Sequence, residues 1–378
     1  MIDVRHFVDA LVDAGADVFT GIPCSYLTPL IDEAIARPDT QYVVASSEGD
    51  AVSIAFGCWL AGKTAVVLSQ NSGLGNMVNP LTSLGEPARL PVLLLVTWRG
   101  RPGTKDEPQH RQMGEITPGL FDLLGIRWSH LPDDETEALR IARAALDYIG
   151  DEERPYALLM PGDSFTADAR PPAPSSRRTD DHGALPTRAD ILKAFVEHVE
   201  DDAVVIATTG KTGRELFTLA DRPGNFYCVG SMGYANSVAH GVALASSRKV
   251  YVLDGDGAAI MHLGNLTSIG AGGCTNLTHI VLDNSAYDST GAQPTASSTT
   301  DFALVARAAG YAHADTCVGC DDFVDSLRTA SPHGPRLLRV PISIGSMPRL
   351  GRPTMGPDGV ARRLRSHLAD STLRNPDD

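Results

Sequence analysis

Short apolar runs recur through the first 160 residues, each followed by a stretch whose apolar positions return every three or four residues. The runs are "ADVFTGIP", "QYVVAS", "TAVVLSQ", "LPVLLLVTW" and "PYALLMPG". Strands buried on both faces read as continuous apolar segments, and their alternation with helices is the signature of a parallel sheet covered on both sides. The pattern breaks at residues 166–186, "TADARPPAPSSRRTDDHGALP", which carry no apolar period and read as a linker. Alternation resumes at "TRADILKAFVEHV", with strands expected at "AVVIAT", "FYCVG", "RKVYVLD", "LTHIVLD" and "PRLLRVPI". The expected fold is α/β, with two doubly wound parallel-sheet domains at 1–165 and 187–365. A helix at "GVARRLRSHLAD" runs into a polar C-terminal tail at 366–378.

Composition narrows the ligand class. A chain that is 43% hydrophobic and 21% charged has the profile of a soluble globular protein. The formal charge of -14 argues against nucleic acid and anionic membrane, both of which bind a net basic face, so a small-molecule ligand is expected. The start "MIDVRHFVDALVDAG" reads as an amphipathic helix rather than a secretion signal, so a cytoplasmic location is the default. The longest apolar run suits a buried strand and is too short to span a bilayer. Six scattered cysteines argue against a disulfide framework, and "CVGC" lacks the second pair that a zinc site needs.

Ligands of such sheets bind beyond the carboxyl ends of strands, which directs attention to the loops there. "IATTGKTGREL" contains GKT, but a phosphate-binding Walker loop needs a glycine where Val205 stands. Lys211 and the amides at the start of the following helix still suit a phosphate. In "YVLDGDGAAIMHLGNL", Ala258 and Ile260 stand where a calcium loop needs oxygen ligands, and the third glycine of a dinucleotide fingerprint is missing. A second feature explains the loop. Twenty-five residues separate Gly257 from "DNSAYDSTG", one helix and one strand, so Asp256 and Asn284 fall at the ends of adjacent strands. Two hard oxygen donors there suit Mg2+ that also takes phosphate oxygens from a ligand.

GDG followed at this spacing by an acid–asparagine pair resembles the diphosphate and magnesium motif of thiamin diphosphate enzymes. The resemblance implies that Asp256, Asn284 and the carbonyl of Ala286 ligate Mg2+, that Gly255, Gly257 and Ala258 meet the diphosphate, and that Thr209, Gly210, Lys211 and Tyr287 join the cofactor contacts. "VGSMGYANSVAHG" resembles the segment that bends the cofactor, with Met232 as its apolar wedge and the Gly230 carbonyl facing the aminopyrimidine. "QYVVASSEGDAVSIAFG" resembles the family's strand, glutamate and helix. Glu48 is then the carboxyl that shares a proton with the pyrimidine and so promotes formation of the thiazolium ylid.

The absence of a middle domain, and "GIPCSYLTPL", "SQNSGLGNMVNPLTSL", "RGRPGTKDEPQH", "TTGKTGRELF" and "DNSAYDSTGAQPT", are similar to the family's decarboxylases of phosphonate- and sulfonate-bearing 2-oxo acids. The implied reaction is non-oxidative decarboxylation of 3-phosphonopyruvate to phosphonoacetaldehyde and CO2 in phosphonate biosynthesis. Sulfopyruvate decarboxylation, carboligation and a noncatalytic scaffold are the alternatives. A dianionic phosphonate needs cations, hydroxyls and amides, which makes Ser25, Asn71, Ser72, Lys105, His110 and Lys211 candidate substrate contacts. Asp106, Glu107 and His110 are candidates for returning a proton after decarboxylation. Cys24 stands where an acid is expected. The resemblance further implies at least a homodimer, with each site between the first domain of one chain and the second of another.

Overall fold

Aliphatic and β-branched runs build two six-stranded, wholly parallel sheets in the computed structural model, which describes residues 1–162, 164–166, 185–329 and 333–369. The chain divides into two units, one of residues 1–174 with Thr290–Gln293 and the other of residues 175–289 with 294–378.

In the first unit the strands are β1 (Ala16–Gly21), β2 (Gln41–Val44), β3 (Thr64–Gln70), β4 (Leu93–Thr97), β5 (Arg127–His130) and β6 (Tyr156–Met160), in the order β2-β1-β3-β4-β6-β5. Every side chain of β4 and of β6 is buried, as strands covered on both faces require. One face is filled by Phe7, Phe19, Leu30, Leu95 and Leu158, with the amphipathic helix Val4–Asp13 laid across it. Ile2 and Asp3 pair with Phe165 and Thr166 in a separate two-stranded ribbon.

The second unit repeats this plan with β7 (Val204–Ala207), β8 (Asn225–Tyr227), β9 (Val250–Gly255), β10 (Leu277–Asp283), β11 (His313–Thr316) and β12 (Arg336–Pro341), in the order β8-β7-β9-β10-β12-β11. Its sheet is covered on one face by a cluster that includes Ile206, Val252, Phe302 and Leu337, and on the other by one that includes Phe195, Tyr251, Phe323 and Leu338. The helix Arg188–Val196 is started by a reciprocal cap between Thr187 and Asp190.

In each sheet the first strand sits between the second and the third, so the loops leaving the first and third strands part in opposite directions and open a crevice. The crevice of the first unit lies between the loops after β1 and β3, that of the second between those after β7 and β9.

The structure differs from the sequence reading in three places. β5 and β11 had no apolar run to announce them. Thr166 belongs to the N-terminal ribbon rather than to the linker, of which residues 167–184 lie outside the described residues. The last helix continues from Pro357 to Ala369, so a tail beginning at 366 cuts through its final turn, and residues 370–378 lie outside the described residues. No helix among the described residues is long and apolar enough to cross a membrane.

Candidate active site

Glu48 follows β2 as the first residue of the helix Glu48–Leu60, whose amino end is capped by Ser47 accepting from the Asp50 amide. Its side chain is buried, and Oε2 accepts a 2.7 Å hydrogen bond from Asn76 Nδ2. A Cβ on Gly73 would lie 2.5 Å from the Glu48 side chain, so a larger residue there would have to displace that carboxylate.

The crevice after β1 and β3 is polar. Cys24, buried, donates its thiol to Gln70 Oε1 at 3.3 Å, and Gln70 Nε2 donates to Ser72 Oγ at 2.6 Å. Ser25 and Ser72 are exposed at this edge. Asn71 is not, which weighs against its reading as a substrate contact. It is fully buried, and Nδ2 donates to the Arg99 carbonyl at 2.9 Å and to Thr117 Oγ1 at 3.0 Å. Its one unpaired polar atom is Oδ1, an acceptor that would repel an anion.

The loop after β4 carries Lys105, Asp106, Glu107 and His110. Asp106 takes a two-pronged pair of hydrogen bonds from Arg99, at 2.8 and 2.6 Å, together with the amides of Gly100 and Glu107. The Arg99 guanidinium, followed by those amides, holds the carboxyl well below its ordinary range in spite of partial burial. So held, Asp106 braces the loop, which weighs against it as the group that returns a proton. Glu107 is half-buried beside it. His110 is buried with Nδ1 lacking a partner, and burial, reinforced by Arg99, lowers its proton affinity. Lys105 is exposed on a cleft of about 410 Å³ that also presents Arg101 and Arg111, and it pairs with no carboxylate among the described residues.

In the second unit, Gly210 adopts φ +92° and starts the helix Lys211–Leu219, while Thr209 Oγ1 donates to the Val229 carbonyl at 3.2 Å. Lys211 Nζ donates to Asp288 Oδ1 at 2.9 Å, and Asp288 Oδ2 accepts from Arg188 at 2.9 Å. Arg188 in turn reaches the fully buried Glu215 at 3.3 Å. The charge of Lys211 is therefore already matched, which weakens its assignment as a phosphonate contact. Gly230 and Met232 lie in the bend after β8, where Ser231 (φ +53°) and Gly233 (φ +89°) are both left-handed. Met232 is half-buried and joins neither hydrophobic core of its unit.

β9 ends at Gly255, and Asp256 opens the helix Asp256–Met261. Asp256 is almost fully buried and accepts from Thr295 Oγ1 at 2.5 Å. Burial, and then the neighbouring Asp283, push its proton affinity up, because no base offsets its charge. Asp283 is paired with Arg339 at 2.8 Å. At the end of β10, Asn284 Oδ1 accepts from the Ala286 amide at 3.1 Å while its buried Nδ2 has no partner. The Ala286 carbonyl accepts one hydrogen bond, from the Asp288 amide at 2.9 Å.

These features fit a cation and a diphosphate. A buried acid has no countercharge among the described residues, and the Asn284 carboxamide offers an unpaired Nδ2 donor that suits a phosphate oxygen beside an Oδ1 that can take a second partner. Among the described residues no three His, Cys, Asp or Glu converge on a metal, so the donor set is one carboxylate with neutral oxygens, which suits Mg2+ completed by ligand phosphates. The glycines of the motif differ in cause. A Cβ on Gly257 would stand 2.6 Å from the buried Tyr287 ring, whereas one on Gly255 would meet nothing within 4 Å. Gly255 has an ordinary extended backbone with open space on its Cβ side.

The sequence reading missed Asn76 and Thr295, the partners of the two central acids. Both lie within stretches that carried the resemblance, but nothing in their spacing marks them as partners.

The class defined by this pair of parallel-sheet folds is that of the thiamine pyrophosphate enzymes. The family model for their N-terminal TPP-binding domain matches residues 4–119, and that for their C-terminal TPP-binding domain matches residues 209–340. The chain is 44% identical over 378 residues to the phosphonopyruvate decarboxylase of Streptomyces viridochromogenes, covering 97% of this chain and 95% of that protein. It is 45% identical over 384 residues to the phosphonopyruvate decarboxylase of Streptomyces hygroscopicus, covering 98% and 95%. The sulfopyruvate decarboxylase of Methanosarcina acetivorans is 30% identical over 307 residues, covering 76% and 77%. The chain belongs to the phosphonopyruvate decarboxylase family of thiamine pyrophosphate enzymes.

Proposed function

We propose that the chain decarboxylates 3-phosphonopyruvate to phosphonoacetaldehyde and CO2 with thiamin diphosphate and Mg2+. The observation that carries the cofactor half of this reading is the donor set at the ends of β9 and β10, where Asp256 is buried without a countercharge beside a half-satisfied Asn284. The substrate half rests on the near-full-length likeness to two relatives named for that reaction.

Thiamin diphosphate, when bound, supplies the carbanion and the electron sink that a 2-oxo acid needs to lose carbon dioxide. The chain's residues do the rest. Asp256, Asn284 and the Ala286 carbonyl would hold Mg2+, and Gly255 with the amides of Gly257 and Ala258 would receive the diphosphate. Thr209, Gly210 and Tyr287 would join its contacts, and the Gly230 carbonyl and Met232 would meet its aminopyrimidine side. Glu48 holds or releases a proton at its carboxylate. Lys105, on its exposed loop, draws in the phosphonate with Ser25 and Ser72, while Lys211 acts mainly through Asp288. His110, buried and with Nδ1 unpaired, is our candidate for returning the proton that completes the aldehyde. The working unit is at least a homodimer in the cytoplasm, and a fully active monomer in sedimentation analysis would overturn the dimer.

The test is to incubate the purified protein with phosphonopyruvate, adding and withholding thiamin diphosphate and Mg2+. Release of CO2 together with phosphonoacetaldehyde, dependent on both additions, is expected. A ligated 2-hydroxy-3-oxo acid in place of the aldehyde would make it a carboligase, and no consumption of substrate would overturn the reading.

A further inference from the structure

The helix headed by Glu48 meets the segment after β3 at backbone distance. A Cβ on Gly49 would stand 2.7 Å from the Asn76 carbonyl oxygen, one on Gly73 2.5 Å from the Glu48 carboxylate, and one on Gly85 2.5 Å from the Phe56 ring. Three missing side chains therefore set the approach of these two elements. Between Asn79 and Glu86 the segment widens into a turn closed by the Glu86 amide on the Leu81 carbonyl, five residues back. Widened turns of this kind are frequent at functional sites.

This packing brings Asn76 Nδ2 within 2.7 Å of Glu48 Oε2 and leaves Oε1 on the Gly73 side. Among the described residues no other side chain hydrogen-bonds that carboxylate. Asn76 is half-buried, and the acid is 7% exposed, so water competes little for the contact. An N–H···O bond to an ionised carboxylate is both short and directional, and it fixes the plane of the group that accepts it.

We propose that Asn76 is a positioning residue for Glu48, its amide holding Oε2 so that Oε1 alone is left to share a proton with the cofactor's pyrimidine nitrogen. The inference rests on the thiamin diphosphate reading given above. One proton moves between Oε1 and the ring nitrogen, and charge balances within that pair. A carboxylate free to rotate would offer either oxygen, or neither, at the required angle. A misplacement of about 1 Å at such a contact costs on the order of 100-fold in rate.

The test compares Asn76→Leu, nearly isosteric but without a donor, with Asn76→Ala, Glu48→Gln and the parent protein. Two quantities are read besides turnover: the thiamin diphosphate dissociation constant of each apo-protein, from tryptophan fluorescence, and the rate at which the C2 proton of the bound cofactor exchanges for deuterium. Asn76→Leu is expected to slow exchange by roughly 10- to 100-fold, with kcat falling in parallel and the dissociation constant moving less than about threefold, since the diphosphate is held by the other unit. Exchange at the parental rate in a folded Asn76→Leu or Asn76→Ala protein would overturn the proposal. If either variant fails to fold, the other carries the test, and a matching fall in melting temperature and exchange would likewise overturn a positioning role. Glu48→Gln separates the two levels. If it too exchanges at the parental rate, the reading of Glu48 fails, whereas lost exchange in Glu48→Gln beside normal exchange in Asn76→Leu removes Asn76 alone.

Discussion

The two units share one strand order and open their crevices at the same topological position, yet they furnish them with different chemistry. After β7 and β9 the second unit places glycines, a matched lysine and a buried acid without a countercharge. After β1 and β3 the first places a thiol, an amide and two exposed hydroxyls, and its decisive acid, Glu48, leaves the neighbouring strand β2 instead. Topology supplies a crevice in both, and the residues that line it decide what it holds. On the proposed reading, one unit would anchor the charged cofactor and the other would handle a proton and a substrate.

That division is open to direct tests. Glu48→Gln should lower kcat by at least about 100-fold, within the usual range for an acid–base group, while the cofactor still binds; titration calorimetry and steady-state rates check both. Asp256→Ala should act on the opposite property and weaken thiamin diphosphate and Mg2+ together by at least about tenfold, or 1.4 kcal/mol. An unchanged dissociation constant would remove the anchor from the second unit. Gly73→Ala sharpens the contrast, because its Cβ would force the Glu48 carboxylate to move. A loss of about 1–3 kcal/mol in stability is expected from the overpacking, with slower turnover and unaltered Mg2+ affinity.

Asp106→Asn addresses stability rather than chemistry. Its folded proton affinity lies below the ordinary 3.8, so the Arg99 pair stabilises fully above about pH 4. That contribution is lost as pH falls through the lowered folded value. The variant should be about 1–2 kcal/mol less stable at pH 7, and the gap in urea melts should narrow toward pH 2. Lys105→Ala carries the smallest effect, raising KM for the phosphonate about three- to tenfold with stability unchanged within roughly 0.5 kcal/mol. An unchanged KM would take the phosphonate off this loop.

Ten of the twelve sheet strands were legible as apolar runs, and the two that were not occupy the same place in each sheet. β5 ("RWSH") and β11 ("HADT") are edge strands, partly exposed, and so have no need of the continuous apolar sequence that marks their neighbours. Site residues divide in a similar way. The positions of Glu48, Asp256 and Asn284 beside strand ends were legible because motif spacing fixes them. Their partners were not, since Asn76 is 28 residues from Glu48 and Thr295 is 39 from Asp256, and only the folded packing joins them. The engagement of Asn71 and Asp106 within the chain was hidden for the complementary reason. Polar residues in a loop look available until the fold shows that Thr117 and Arg99 already hold them.

The most direct test of the central claim is the ratio of kcat/KM for phosphonopyruvate to that for sulfopyruvate, measured on the protein saturated with thiamin diphosphate and Mg2+ by following CO2 release. A ratio well above one is predicted. A ratio below one would contradict the proposed substrate while leaving the cofactor anchor in place, and no CO2 from either acid would contradict the decarboxylase itself.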